Sequence, residues 1–283
     1  MEPCWLSPAR AKARPLPVDF RKGDDTEASS RSVINVLSED ETRTLLRDVN
    51  RAYKTQIDDL LLTALAQTIA PWAKSGVVLV DLEGHGRQDL VPGLDITGTV
   101  GWFTVVYPVA LELSPKMTPG ETIKSIKEQL RTIPGHGLGY GLLRYLRSGD
   151  PIGGRLKSLP RAEIGFNYLG QLDQGLPEAS PFRFATESAG PDHSPLARRR
   201  HALDLNASVV RGALTLRWTY GEGRHRRATI EQLAERFLAA LRALAAHCLS
   251  PDAGGYTPSD FKKANLSQDV IDMLAAMDSG EQS

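Results

Sequence analysis

The stretch TQIDDLLLTALAQTIAPWA, residues 55–73, is the feature that most limits what this chain can fold into. Taken as a helix, it carries apolar side chains on nearly every side: Ile57, Leu60, Leu61, Leu62, Leu65 and Ile69. Such a helix must lie in the middle of a domain, because a surface helix keeps one polar face. The apolar run Val77 to Val80 follows it and predicts a buried strand. Helices and a sheet must therefore enclose this segment in layers.

Other segments alternate between helix and strand patterns. Ser38 with Glu41, and Thr118 with Glu121, form the signature of a capped helix start. Alternating apolar residues on both sides of Arg211-Gly212 predict a hairpin with one buried face. Further strands are expected at residues 77–82, in the later part of 99–113 and at 162–170, and further helices at 140–146, 228–249 and 267–277. Together these elements predict an α/β sandwich, and its 283 residues suffice for one large domain or two modest ones.

Composition excludes several classes of function. Lys and Arg number 34 and so do Asp and Glu, so the overall charge indicates neither nucleic acid nor an anionic membrane as a partner. Cys4 and Cys248 are too far apart in the chain to suggest a disulfide framework or a metal site, which favours a reducing cytoplasm. The sequence shows neither a signal peptide nor a run of about 18 apolar residues that could cross a bilayer.

Three other kinds of short motif do not indicate a nucleotide site, a metal site or a hydrolase. GLGYG at 137–141 is not a dinucleotide fingerprint, because the third glycine comes too early and no strand leads into it. The basic clusters RRRH at 198–201 and RHRR at 224–227 are typical of solvated loops, with a docking patch as the alternative. No histidine pair has the spacing of a zinc helix, and no serine lies in a GxSxG elbow.

Four motifs in order point to one family. They are LEGHGR at 82–87, DITGTVGWFTVVYPV at 95–109, IPGHGLGYGLLRYL at 133–146 and EIGFNYLGQLD at 163–173. This set resembles the epimerization domains of nonribosomal peptide synthetases, which belong to the condensation-domain superfamily. The resemblance covers nearly the whole chain. It implies one lobe of the two-lobed condensation fold, which is like that of CoA-dependent acyltransferases, with a mixed sheet flanked by helices.

Two departures from the family pattern define what the chain resembles. Family members carry an HHxxxDG motif in the first lobe, and nothing in this sequence matches it. Gly98 stands where the family usually has an arginine, which removes any charge contact from that position. The chain therefore resembles the C-terminal lobe alone. We expect residues 1–36 to be an extended lead-in from the missing N-terminal lobe, 37–250 to be the C-terminal lobe, and 251–283 to be an exit linker with a weak helix.

The resemblance implies an activity and the residues that carry it. Epimerization of a carrier-bound aminoacyl or peptidyl thioester needs groups that accept and donate the α-proton. Glu83 of EGHGR is the candidate, because a carboxylate desolvated at the end of a buried strand could do either near neutral pH. A purely structural pairing of Glu83 with Arg87 is the alternative. Tyr168 of FNYLGQ matches a tyrosine that the family places in the active-site tunnel, with a core position as the alternative. The other residues expected at the substrate channel are His85, Arg87, Trp102, Asn167 and Gln171.

The same resemblance implies partners and limits. The substrate would arrive on the 4'-phosphopantetheine of a peptidyl carrier protein, so we expect no bound cofactor and no metal in the chain. Adjacent synthetase domains and the missing lobe are the other expected partners. Without the histidine motif we expect the chain to be inactive alone. A fragment of a bond-forming condensation domain and a noncatalytic carrier-binding remnant are the alternatives.

Overall fold

The structure is a computed structural model that describes residues 2–87, 93, 95–147, 151–172, 180, 181, 185, 187, 190–261, 263, 264 and 266–280. Its helices are α1 Glu2–Trp5, α2 Pro8–Lys12, α3 Glu39–Arg47, α4 Asn50–Tyr53, α5 Ile57–Ala73, α6 Pro119–Arg131, α7 Leu138–Gly141, α8 Pro151–Ser158, α9 Arg227–Cys248 and α10 Gln268–Gly280. A π-helical turn, Leu142–Leu146, continues α7, and short 3₁₀ turns lie at Glu27–Ser29, Pro134–Gly137 and Pro258–Phe261.

The strands of the described residues form one mixed sheet. They are β1 Ser30–Val36, β2 Val77–Gly84, β3 Val105–Glu112, β4 Ile164–Gln171, β5 Leu203–Val210 and β6 Ala213–Gly221. Their order across the sheet is β1-β6-β5-β4-β2-β3, in which β2, β4 and β5 are mutually parallel and the other pairs antiparallel. Pro108 falls on β3 at the edge, where its missing N–H costs no ladder bond. The mixed sheet flanked by helices confirms the predicted fold class.

One core joins this sheet to the long helices. Helix α5 is buried along nearly its whole length, as its apolar sequence predicts, and α9 packs beside it. Trp218 of β6 meets Phe237 of α9 edge to face, with ring centroids 5.6 Å apart. The two predicted capping boxes are present, because Glu41 N and Glu121 N donate to the hydroxyls of Ser38 and Thr118. Both helices therefore begin where their sequence predicts.

The lead-in predicted for residues 1–36 contains more regular structure than its sequence pattern indicates. Residues 30–36 pair with β6 as an edge strand, in which Val33 is the only fully buried side chain. Near the N-terminus, Trp5 is 2% exposed and packs with Tyr140 and Tyr107, at centroid distances of 5.2 and 6.0 Å. These contacts attach the lead-in to the lobe at both ends. The boundaries at residues 36 and 250 stay predictions.

The first part of the expected exit linker is fixed to the fold by a buried ion pair. Lys127 Nζ of α6 lies 2.7 Å from both carboxylate oxygens of Asp260 and 2.9 Å from the carbonyl oxygen of Tyr53. The two charged side chains are 1% and 9% exposed. The backbone N–H of Thr257 also donates to Asp260. Residues 256–261 therefore form part of the folded lobe.

A second charged network crosses the sheet on the face away from α5 and α9. Asp81 of β2, Gly165 of β4 and Asp204 of β5 lie side by side in the register. His201 spans them, with Nδ1 2.8 Å from Asp204 Oδ1 and Nε2 3.1 Å from Asp81 Oδ2. A Cβ at Gly165 would lie only 2.6 Å from His201 Nδ1, so the imidazole needs the glycine. Because both ring nitrogens donate, His201 is held in its charged form.

We predict that His201 makes the stability of the chain fall between about pH 6.5 and 9. Burial alone would lower the pKa of His201, but its bonds to Asp204 and Asp81 and their charges raise it from 6.5 to about 9. A raised pKa stabilises the fold fully below the unfolded value, and this stabilisation disappears as pH rises through the folded value. A shift of this size corresponds to roughly 3 kcal/mol.

Urea unfolding across this pH range tests the prediction. His201→Gln should abolish most of the pH dependence, whereas the same change at the exposed His193 should preserve it. A parent chain whose unfolding free energy stays constant from pH 6.5 to 9 would contradict a charged His201.

Candidate active site

A cleft of about 530 Å³ opens at the carboxyl ends of the parallel strands β2 and β4. Open α/β sheets commonly bind ligands at this edge, and the volume is that of a small-molecule site. Its walls come from the start of α5, the end of α6, the turn before α7 and strand β3. The lining residues are Gln56, Asp58, Asp59, Leu62, Leu82, Glu83, Tyr107, Leu130, Arg131, Ile133, Gly135, His136, Phe166 and Tyr168. The two predicted catalytic residues, Glu83 and Tyr168, thus line the same cleft.

Glu83 and Tyr168 reach the cleft from opposite faces of the sheet. Leu82 pairs with Phe166 in the register, and side chains alternate along a strand, so Tyr168 shares the core face with Leu82 and Glu83 does not. Tyr168 is partly buried and packs against the core, as the alternative core position requires, and it also lines the cleft. Its place in an active-site tunnel stays a prediction. Glu83 is exposed.

Arg87 does not pair with Glu83, which rules out the structural alternative for that carboxylate. Its guanidinium instead donates to the carbonyl oxygens of Ile96, Thr99 and Gly101 at 2.7, 2.9 and 3.3 Å. It also lies over the ring of Phe103 at 4.3 Å. Arg87 therefore fixes residues 96–103 against the end of β2. Glu83 makes no hydrogen bond or ion pair with the described residues.

The cleft carboxyl group with an enclosed oxygen that accepts no hydrogen bond from the described residues is Asp58 and not Glu83. Burial, together with the charge of Asp59, raises the pKa of Asp58 from 3.8 to about 6. Our expectation of a desolvated Glu83 is thus wrong for this chain, because Glu83 lies on the face of β2 away from the core, where it is exposed. The enclosed carboxylate oxygen lies instead in the helical layer, at the first turn of α5.

Asp59 and Arg131 form a rigid part of the wall. Arg131 binds Asp59 in a bidentate way, with Nη1 3.0 Å from Oδ1 and Nη2 2.7 Å from Oδ2. Oδ2 of Asp59 also accepts the backbone N–H of Gln56 at 2.7 Å and so caps α5. The aspartate is 1% exposed. This pair fixes the end of α6 against the start of α5.

Two tyrosines complete the wall. Burial raises the pKa of Tyr107 to about 12, and the charge of Asp58 adds to the effect. The pKa of Tyr168 is raised by the same two causes in the same order. A Cβ at Gly137 would lie 1.9 Å from the Tyr107 ring, so the turn at 134–137 can close on this ring only with glycine there. In the same turn His136 adopts φ 47°, a strained value of the kind that clusters at functional sites.

The other residues predicted for the substrate channel do not line this cleft. His85 Nδ1 accepts the backbone N–H of Arg87 at 3.1 Å, which places it in the loop with Arg87. Trp102 is 88% exposed. Asn167 pairs with Asn206 in the register, and Gln171 ends β4. Their assignment to a channel stays a prediction.

Sequence reasoning missed Asp58, Arg131 and His136. The Asp58-Asp59 doublet is hidden in the pattern of an apolar helix, although Asp59 stands three residues after Gln56, where a capping carboxylate is expected. His136 lies inside the GHG motif, which was the available signal for it. No local pattern could have paired Arg131 with Asp59, which is 72 residues distant.

Two classes of site are absent from the part of the chain that the structure describes. No group of three or more His, Cys, Asp or Glu side chains there could hold a metal ion. No helix among these residues is both long and apolar enough to cross a membrane.

Comparison with known proteins identifies the class. The Condensation domain family matches residues 5–267, so the chain belongs to the condensation-domain family. Among curated relatives, one of the linear gramicidin synthase proteins of Brevibacillus parabrevis is 45% identical over 270 residues, which cover 95% of this chain and 4% of that protein. Tyrocidine synthase 2 of the same organism is 36% identical over 259 residues, with 92% and 7% covered. The chain thus spans less than a tenth of these relatives.

Two solved structures have the same fold as this chain. The epimerization domain from the third module of tyrocidine synthetase B is 34% identical and superposes with a TM-score of 0.76, covering 88% of this chain and 57% of that one. The X-domain from teicoplanin biosynthesis shares the fold, with 18% identity and a TM-score of 0.63, over 90% and 56% of the two chains. The family predicted from the four motifs is confirmed. The chain spans just over half of the epimerization domain.

Proposed function

We propose that this chain is the C-terminal lobe of an epimerization domain, which interconverts the L and D configurations at the α-carbon of a carrier-bound aminoacyl or peptidyl thioester. One observation carries the proposal. Glu83 of the EGHGR motif stands exposed and unpaired, among the described residues, at a cleft whose opposite wall holds Tyr168 of FNYLGQ. A carboxylate without a structural partner is free to exchange protons with a substrate.

The chemistry requires two proton transfers. A base removes the α-proton, the C–H bond breaks, and its electron pair moves onto the thioester carbonyl as an enolate. An acid then returns a proton to the other face of the same carbon. Glu83 acts as one of these acid–base groups. The Tyr168 hydroxyl donates a hydrogen bond to the enolate oxygen, where charge develops.

The second acid–base group comes from outside this chain. The resemblance places a catalytic histidine of HHxxxDG in an N-terminal lobe, and this sequence has no such motif. We infer that the cleft forms one side of a tunnel that the other lobe closes. The substrate enters on the 4'-phosphopantetheine of a peptidyl carrier protein, so the chain itself needs no cofactor.

We predict that the chain alone does not exchange the α-proton of an aminoacyl thioester loaded on a carrier protein. Coexpression with an N-terminal lobe that carries HHxxxDG should restore exchange. Incorporation of deuterium from D₂O into the recovered amino acid, read by mass spectrometry, measures both. The chain without any lobe is the matched control.

Three outcomes would overturn the proposal or part of it. Rapid exchange by the chain alone would show that the second lobe is dispensable. Peptide-bond formation without exchange in the assembled domain would favour a condensation-type fragment. Carrier binding with neither reaction would favour a noncatalytic remnant.

A further inference from the structure

Two adjacent carboxyl groups at the first turn of α5 have opposite surroundings. Asp59 is fully engaged by Arg131 and by the backbone of Gln56. Asp58 Oδ1 is just as enclosed, yet it accepts no hydrogen bond from the described residues. Burying a carboxylate oxygen without a donor is unfavourable. Asp59 thus has a clear structural role, whereas none of the described residues gives one to Asp58 Oδ1.

Asp58 also lies where it can influence the proposed chemistry. It lines the cleft together with Tyr107 of β3 and Tyr168 of β4, and its charge acts on both phenols. The other titratable and charged groups around the cleft are Glu83 of β2, Asp59 of α5, Arg131 of α6 and His136 of the turn before α7. Arg131 is committed to Asp59, so it does not neutralise Asp58 through a direct contact.

We propose that Asp58 controls how strongly the Tyr168 hydroxyl donates a hydrogen bond to the enolate oxygen of the substrate. Asp58 is thus a positioning residue that acts through Tyr168, and the inference rests on the function proposed above. Ionised Asp58 holds the phenolic proton more tightly and weakens the donor. Neutral Asp58 does not have this effect, so the phenol is then the stronger donor. Because Asp58 changes its charge at about pH 6, the strength of the donor changes around that pH.

The first arm of the test needs no activity. In the chain labelled with ¹³C at the tyrosine Cζ, the Tyr168 resonance should follow a titration with a midpoint near pH 6, assigned with Tyr168→Phe. Asp58→Asn should abolish this inflection. Glu83→Gln is the matched control, since it removes another cleft carboxylate and should retain the inflection. Asp59→Asn should retain it at a lower pH, because the charge of Asp59 helps to raise the pKa of Asp58. An inflection that survives Asp58→Asn, or none in the parent, overturns the inference.

The second arm uses the assembled domain with its N-terminal lobe and a loaded carrier protein. The exchange rate of the parent should decline as pH rises through about 6, and this decline should be absent from Asp58→Asn. At pH 7.5 the variant should therefore exchange faster than the parent. A loss as large as that expected for Glu83→Gln would show that Asp58 transfers the proton itself, and it would overturn the positioning role.

The two arms separate the two proposals. An assembled parent domain without exchange contradicts the proposed function, while the NMR titration still decides whether Asp58 is coupled to Tyr168. A structural role predicts a different pattern, in which Asp58→Asn lowers the melting temperature and leaves both pH profiles unchanged. Asp59→Asn should show the loss of stability, because it breaks the bond to Arg131.

Discussion

Replacing Glu83 by Gln is expected to lower the epimerization rate of the assembled domain by at least about a hundredfold, the lower limit typical of an acid–base group. The melting temperature should stay that of the parent. Gln keeps the shape of the side chain but cannot accept the proton, and Glu83 is exposed without a hydrogen bond or ion pair to the described residues. Deuterium exchange and thermal unfolding of the same samples measure the two effects.

Arg87→Gln is the matched control for Glu83→Gln. It should lower stability, because Arg87 donates to three carbonyl oxygens of the loop between β2 and β3. The two variants should therefore differ in stability, although both lie in the EGHGR motif. A Glu83→Gln domain that is destabilised and still exchanges at the parental rate would remove Glu83 from the mechanism.

Replacing Asp260 by Ala is expected to destabilise the chain by about 3–5 kcal/mol, because it leaves a buried Lys127 without its counter-ion. Urea unfolding of the chain measures this value. The control is Glu231→Ala, which breaks the exposed pair of Arg227 and Glu231 on α9. That loss should stay below about 0.5 kcal/mol. Equal stabilities of Asp260→Ala and the parent would show that residues 256–261 are not part of the folded lobe.

The sequence predicted those elements whose signals are local. The capping residues Ser38 and Thr118 mark helix starts that the structure confirms. Helix α8 was missed because Gly153 and Gly154 lower its helix propensity, and tertiary contacts decide its conformation. Strand β1 was missed because only one of its side chains is fully buried, so its alternation is faint.

The residues of the site also fall into those that a local sequence signal predicts and those that it does not. Glu83 and Tyr168 were found through motifs, and the fold brings them to one cleft. Which acidic group is desolvated depended instead on contacts between distant segments. The sequence marks Asp59 as the capping carboxylate of α5, but it gives no sign that Arg131 also binds Asp59 and leaves Asp58 enclosed beside it. Enclosure is a property of the assembled layers and could not be predicted from a strand end.

Helix α6 connects the wall of the cleft to residues 256–261, the first part of the expected exit linker. Lys127 holds Asp260, and one turn further along the same helix Arg131 holds Asp59 at the cleft wall. Four residues of helix span about 6 Å. A displacement of residues 256–261 would therefore be transmitted along α6 to the first turn of α5, where Asp58 lies. The position of residues 256–261 is thus coupled to the wall of the cleft through two ion pairs.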